Sequence, residues 1–271
     1  MGRLASAVPL LLAGMISQAE ARIDTPVDLE LALAVDVSRS IDATEALLQR
    51  RGYIEAFADP EVIQAIRAGM LGRIAVTYFE WAGMDSPQIV AGWTLIDGGA
   101  SAFAFAEALG RIAPNAARHT SISRAIDFAL PLFEGNGFEG TRQAIDVSGD
   151  GPNNWGNLVT TARDRAIAAG VTINGLPILD HGGGMFSSFN IPDLDLYYRD
   201  CVIGGPGAFV VVAADFTDFA RAVRRKLIFE IAEGRPHKAQ GIIRAAATGA
   251  ARSSPPCDIG EQLMRDLIED F

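Results

Sequence analysis

Apolar runs of strand length alternate along this chain with longer segments that have helical periodicity. The first run, Leu29–Val35, has almost no polar interruption, which is typical of a central parallel strand buried on both faces. Similar runs predict further strands at residues 72–81, 88–96, 143–147, 171–179 and 209–213. Apolar residues at helical spacing predict helices at residues 42–58, 103–112, 121–133, 158–169, 196–201 and 216–231.

The order of these elements predicts the fold class. Strands that alternate with helices favour a doubly wound α/β fold, in which a mostly parallel sheet carries helices on both faces. Residues 82–87 form a short polar link between two strand patterns, so we expect a hairpin there. Residues 88–96 would then be an antiparallel strand at the edge of the sheet.

The two ends of the chain differ in composition from its centre. Residues 1–21 resemble a secretory signal, with Arg3, a short apolar stretch and the small-x-small site Ala19-Glu20-Ala21. After Gly234 the chain is rich in Ala, Ser, Pro and basic residues, which is typical of a linker. We therefore predict a signal peptide at 1–21, one domain at 22–236, and a linker and tail at 237–271.

Charge and hydropathy limit the environment and the partners. The apolar stretch of the signal is far shorter than the roughly 20 residues of a membrane-spanning helix, and we see no other candidate span. We expect an exported protein, periplasmic or secreted, that is not an integral membrane protein. The formal net charge of −10 argues against nucleic acid as a partner.

Two cysteines, Cys201 and Cys257, are present in the whole sequence. In an oxidising compartment they are candidates for a single disulfide that would join the tail to the domain. The alternative is two free buried thiols.

Candidate chemistry begins where the first strand ends. Asp36, Ser38 and Ser40 place a carboxylate and two hydroxyls at alternate positions, and such hard oxygen ligands suit Mg²⁺, Mn²⁺ or Ca²⁺. The alternative is that Asp36 or Ser38 caps the following helix. Thr120 precedes a predicted helix, and Asp150 follows the strand at 143–147. If that strand lies beside Leu29–Val35, the three loops meet at the crevice outside the carboxyl ends of the strands.

These five residues resemble the metal-ion-dependent adhesion site of the von Willebrand factor A (vWA) superfamily, whose pattern is Asp-x-Ser-x-Ser, then Thr, then Asp. The resemblance extends over residues 29–231. Residues 146–154 and 197–209 look like signatures of an exported bacterial subfamily of unknown function. One position departs from the pattern, because Gly149 stands where the superfamily more often has Thr. We expect Ser148 as the residue that compensates for the missing hydroxyl.

The resemblance implies binding of one divalent cation, with Mg²⁺ expected first and Mn²⁺ or Ca²⁺ as alternatives, by Asp36, Ser38, Ser40, Thr120 and Asp150. It also implies that a carboxylate of a partner protein or peptide fills an open coordination position, so that the module recognises a partner and is not an enzyme. Two alternatives remain at this stage. One is a metal-dependent hydrolase that uses Asp36 or a metal-bound water as nucleophile. The other is a metal-free envelope scaffold that acts through its tail.

The remaining polar residues near the predicted site have weaker signals. Asn153, Asn154 and Trp155 follow Asp150 and are candidates for its rim. His119 is expected to be a loop residue, because neutral imidazole is a poor ligand for a hard cation. The Gly-rich segment 181–184 is expected to be a surface loop.

Overall fold

The computed structural model describes residues 23–38, 40–83, 87–112, 119–179, 191–232 and 252–269. The predicted signal peptide, the Gly-rich loop at 181–184 and the linker residues 237–251 lie outside these ranges. No helix within them is long and apolar enough to cross a membrane.

A five-stranded sheet forms the centre of the molecule, in the order β4-β3-β2-β6-β7. Strand β2 lies between β3 and β6 and is parallel to both, whereas β4 is antiparallel to β3 at the edge. The predicted fold class, including the antiparallel edge strand, is therefore confirmed. The sheet strands are β2 (Glu30–Asp36), β3 (Ile74–Trp81), β4 (Gln88–Ile96), β6 (Gln143–Gly149) and β7 (Thr172–Pro177).

Helices cover both faces of this sheet. Every residue of β2 is buried, because its alternating side chains enter two separate apolar clusters. Helices α1, α2, α3 and α7 pack in the first cluster, and α4, α5 and α6 pack in the second. The helices are α1 (Ala43–Ala58), α2 (Pro60–Arg67), α3 (Gly99–Gly110), α4 (Ile122–Ala129), α5 (Val159–Ala168), α6 (Leu194–Tyr197), α7 (Phe219–Ala232) and α8 (Ile259–Glu269).

Several elements differ from the sequence prediction. Helix α2 and a small parallel pair, β1 (Thr25–Val27) with β5 (Phe138–Gly140), are additional. The strand predicted at residues 209–213 is instead an extended segment with isolated bridges to Gly175 on β7 and to Ile178 directly after it. Pro177 has no N–H to donate, so a regular ladder cannot continue along β7 at that position.

The C-terminal segment returns to the domain. Cys201 and Cys257 form a disulfide with their Cα atoms 5.3 Å apart, within the usual range for such a bond. Helix α8 then packs so closely that a Cβ added at Gly260 would lie 2.1 Å from the carbonyl oxygen of Asn153. This helix therefore contacts the loop that follows β6.

Candidate metal site

Asp36 is the last residue of β2 and its side chain is fully buried. Its Oδ1 accepts a hydrogen bond from the backbone N–H of Ser38 at 2.7 Å. Its carbonyl accepts one from Nε2 of Gln49 on α1 at 3.1 Å. Its other carboxylate oxygen, Oδ2, has no hydrogen-bond partner among the described residues. Buried polar atoms are almost always paired, so this oxygen needs an explanation.

The loop after β2 brings the two serines back towards Asp36. The N–H of Ile41 donates to the carbonyl of Ser38 at 2.9 Å, which closes a tight turn before α1. Helix α1 is capped by Asp42, whose Oδ1 accepts hydrogen bonds from the N–H groups of Thr44 and Glu45 at 2.7 and 2.9 Å. Neither Asp36 nor Ser38 is therefore the helix cap, and the capping alternative is wrong.

A chain of side-chain hydrogen bonds connects three loops at this edge of the sheet. The Thr120 hydroxyl donates to Ser38 Oγ at 3.2 Å, and Ser38 Oγ lies 3.0 Å from Ser40 Oγ. The Ser40 hydroxyl donates to Oδ1 of Asp150 at 2.8 Å. The structure thus brings all five predicted residues into one cluster, with Asp36 joined to it through the Ser38 backbone.

Two asparagines hold these loops in register, and the sequence suggested them only as rim residues. The N–H of Asn154 donates to the Thr120 carbonyl, and the N–H of Thr120 donates to Oδ1 of Asn154, both at 2.9 Å. Oδ1 of Asn153 accepts from the N–H of Ser123 at the start of α4, also at 2.9 Å. Both amides are buried. The sequence feature that could have indicated this role is the Asn-Asn pair directly after a candidate ligand. A buried amide can accept and donate hydrogen bonds, so it can join two backbone segments.

The electrostatics of the cluster favour a cation. Burial first, and the nearby Asp150 second, raise the pKa of Asp36 well above its ordinary value, although hydrogen bonds from Ser38 oppose this. Asp36 and Asp150 are thus two interacting buried carboxyl groups, and Oδ2 of Asp36 has no hydrogen-bond partner among the described residues. Within the described residues there is no group of three or more His, Cys, Asp or Glu side chains suited to a metal. The donor set here is two carboxylates and three hydroxyls, which fits a hard cation.

The other polar residues near the cluster have contacts of their own. The ring of His119 stacks on Trp155, with centroids 4.8 Å apart and an interplanar angle of 27°. This pair lies beside Thr120. Ser148 accepts a long hydrogen bond of 3.5 Å from the Tyr53 hydroxyl.

Comparison with protein families gives one match. A family model described as "Protein of unknown function (DUF1194)" matches residues 26–235. A search of curated proteins finds no match to this chain.

Solved structures with a similar fold include proximal thread matrix protein 1 from the mussel byssus, whose description names a zinc-occupied MIDAS motif. It is 16% identical, the alignment covers 77% of this chain and 47% of that one, and the TM-score is 0.51. The pilus adhesin SpaC of Lactobacillus rhamnosus GG, in an open conformation, is 12% identical over 78% of this chain and 30% of its own, with a TM-score of 0.54. A von Willebrand factor type A structure from Catenulispora acidiphila is 14% identical. The alignment covers 77% of this chain and 43% of that one, and the TM-score is 0.47.

The chain thus spans about half or less of the length of these three proteins. At such identities the likeness establishes the fold alone. That fold is the vWA type, as the resemblance to that superfamily implied.

Proposed function

We propose a function from one premise: the chain belongs to the DUF1194 family of proteins of unknown function and folds as a vWA-type domain. It is an exported recognition module that binds a protein or peptide through a divalent cation. The cation is held by Asp36, Ser38, Ser40, Thr120 and Asp150.

The observation that carries this proposal is Oδ2 of Asp36, which has no hydrogen-bond partner among the described residues and belongs to a carboxyl group that interacts with Asp150. An ionised carboxylate that is removed from water without a partner is strongly destabilising. A divalent cation would compensate the charges of Asp36 and Asp150 together, and the three hydroxyls are suitable additional oxygen donors. We propose Mg²⁺ first, because every donor in this set is oxygen and no thiol or imidazole belongs to it.

The partner is proposed to carry an exposed carboxylate. A bound cation would supply an electrophilic centre at the surface of the cluster, to which an acidic side chain of the partner can bind. Two proteins with a similar fold support the proposal of partner recognition through a cation. One is described with a zinc-occupied MIDAS motif and the other as a pilus adhesin. The stacked pair His119 and Trp155 offers an aromatic rim beside the cluster, and aromatic residues are enriched in interfaces.

We also propose that the module is not an enzyme. The hydrogen bond to Ser148 comes from the Tyr53 hydroxyl, not from a histidine that would serve as a base. His119 is stacked on Trp155.

The first test is calorimetric titration of Mg²⁺ and Mn²⁺ into the chelator-treated chain from Arg22 onwards. We expect saturable binding of about one equivalent, which is lost in D36N/D150N because both charged ligands are removed. The variant D97N/D164N removes the same charge from two exposed aspartates and should bind as the wild type does. Retained binding in D36N/D150N, or no binding to the folded wild type, would contradict the proposed site.

Partner recognition is tested with an array of peptides that differ only in Asp or Glu against Asn or Gln. In Mg²⁺, the acidic peptides should bind and their amide counterparts should not. Chelation with EDTA and the D36N/D150N variant should each abolish the signal. Equal binding of acidic and amide peptides would argue for a recognition mode without the cation.

A further inference from the structure

We infer that Tyr198 belongs to the metal site as a positioning residue: its phenol hydroxyl takes the place of the missing threonine hydroxyl and donates to Oδ2 of Asp36 when the cation is bound. This inference rests on the proposed function and adds a residue to the same site. Tyr198 lies in residues 197–209, a segment with no role in the five-residue pattern.

Two glycines on neighbouring strands form a slot for this tyrosine. Tyr198 is fully buried and begins the wide helical turn Tyr198–Val202 that follows α6. A Cβ added at Gly175 on β7 would lie 2.8 Å from Cδ1 of the Tyr198 ring, so a larger residue there would displace the ring. A Cβ added at Gly149 would lie 2.9 Å from the Tyr198 hydroxyl. The ring therefore crosses β7 and directs its hydroxyl to the end of β6.

The hydroxyl ends beside the unpaired oxygen of Asp36. The same Cβ position at Gly149 is 2.8 Å from Asp36 Oδ2, so both oxygens lie within 3 Å of one point. Neither the phenol oxygen nor Asp36 Oδ2 has a hydrogen-bond partner among the described residues. Burial of two such groups next to each other is favourable only if they pair with each other or with a shared ligand.

The phenol is suited to donate in this pair. A phenol carries a proton that it can donate, whereas the oxygens of a carboxylate accept. The hydroxyl is therefore a suitable donor toward Asp36. With Oδ1 of Asp36 held by the Ser38 N–H, a bond from Tyr198 to Oδ2 would fix the plane of the carboxylate.

This arrangement explains the departure of Gly149 from the superfamily pattern. A threonine at position 149 would place its Cβ against both Asp36 Oδ2 and the Tyr198 hydroxyl. The sequence suggested Ser148 as the compensating residue, but the Ser148 hydroxyl contacts Tyr53 instead. The missing hydroxyl is supplied by a residue 49 positions away, which no local pattern indicates.

The functional test compares Y198F with Y78F in the Mg²⁺ titration. Tyr78 is the control, because it is also fully buried and its hydroxyl interacts with Arg50, not with the residues of the site. It lies three residues before Trp81, the residue paired with Asp36. We expect Y198F to weaken Mg²⁺ binding by about 10- to 100-fold, the usual effect of losing a residue that orients a ligand. Y78F should bind as the wild type does.

A spectroscopic readout separates orientation from general packing. In the wild type and Y78F, Mg²⁺ should change the near-ultraviolet absorption of a tyrosine, and in Y198F that change should be absent. Unaltered affinity in Y198F would overturn the inference while the metal site stands. A wild type that binds no cation would instead overturn the proposed function itself.

A steric test needs no metal. G149A introduces a methyl group beside both oxygens, and Y198F removes one of the two atoms it would meet. We expect G149A to destabilise the wild type more than it destabilises Y198F, measured by denaturant unfolding in a double-mutant cycle. Equal losses in the two backgrounds would show that the Tyr198 hydroxyl does not lie at Gly149.

Discussion

Two buried aspartates on neighbouring strands have different surroundings. Asp146 on β6 lies 2.6 Å from Nζ of Lys226, which is in turn 3.0 Å from Oε2 of Glu230. Asp36 on β2 has no ion-pair partner within the described residues, although it is equally buried. Among the described residues, there is thus a cationic side chain for Asp146 but not for Asp36. At the scale of the residue, this contrast is the reason to propose a cation at Asp36.

Removal of the Lys226 charge should destabilise the fold. Lys226 is fully buried on α7 between two carboxylates, so K226M would leave Asp146 and Glu230 without a counter-charge. We expect a loss of about 3–5 kcal/mol in the free energy of unfolding at pH 8, the usual result of removing one partner of a buried pair. Denaturant unfolding measures it, and R225M, at the exposed neighbouring position, is the control.

The loss of unfolding free energy in K226M should be smaller at acidic pH, because the pKa of Asp146 is raised in the folded protein. Burial raises this pKa to about 6, Lys226 lowers it and Glu230 raises it. Between the ordinary value of 3.8 and about 6, the folded protein binds more protons at Asp146 than the unfolded chain, so this group stabilises the fold as pH falls. Without Lys226 the pKa of Asp146 rises further, so the pH range in which Asp146 binds more protons in the folded protein extends to higher pH. The difference between K226M and R225M should therefore be smaller at pH 5 than at pH 8, and an equal difference at both would contradict this role.

At the scale of elements, helix α8 is expected to support the loop that carries Asp150. Nδ2 of Asn153 donates to Glu261 on α8 at 2.7 Å, and Gly260 is packed against the Asn153 carbonyl. G260A would force α8 away from this loop while the disulfide remains, with an expected loss of about 1–3 kcal/mol for overpacking. Hydrogen exchange should increase both in α8 and in residues 150–157.

The control for this prediction is D266A, an exposed change on the same helix. It should alter exchange in neither region. Increased exchange confined to α8 in G260A would mean that the site loop keeps its conformation without the tail.

The strands of the sheet could be predicted from the sequence pattern, but most contacts that support the sheet and the site could not. An uninterrupted apolar run such as Leu29–Val35 is informative because a strand buried on both faces admits few polar residues. The short pair β1 and β5 has three residues in each strand, too few for a periodic signal. The five clustered residues were indicated by their local spacing and order. Asn153 and Tyr198 were not assigned their roles, because their contacts depend on tertiary packing between distant segments.

At the scale of the whole molecule, the site exists only in the folded state. Ser40 and Asp150 are hydrogen-bonded although they are 110 positions apart, and the unfolded chain has no means of keeping them together. A cation held by this cluster therefore binds the native state alone and stabilises it by mass action. At a free Mg²⁺ concentration of 100 times Kd, the expected gain is about 2.7 kcal/mol. For a domain of this size that corresponds to a rise in Tm of about 5–10 °C.

Thermal unfolding over a range of Mg²⁺ concentrations tests this linkage against a general effect of salt. The chain has a formal net charge of −10, so any cation reduces its self-repulsion and can raise Tm to some extent. Na⁺ at equal ionic strength measures that contribution. The excess caused by Mg²⁺ should persist in D97N/D164N and vanish in D36N/D150N, since both variants lose the same charge and only one loses the cluster. An excess of equal size in the two variants would show that Mg²⁺ acts on the charge of the whole surface and not at the end of β2.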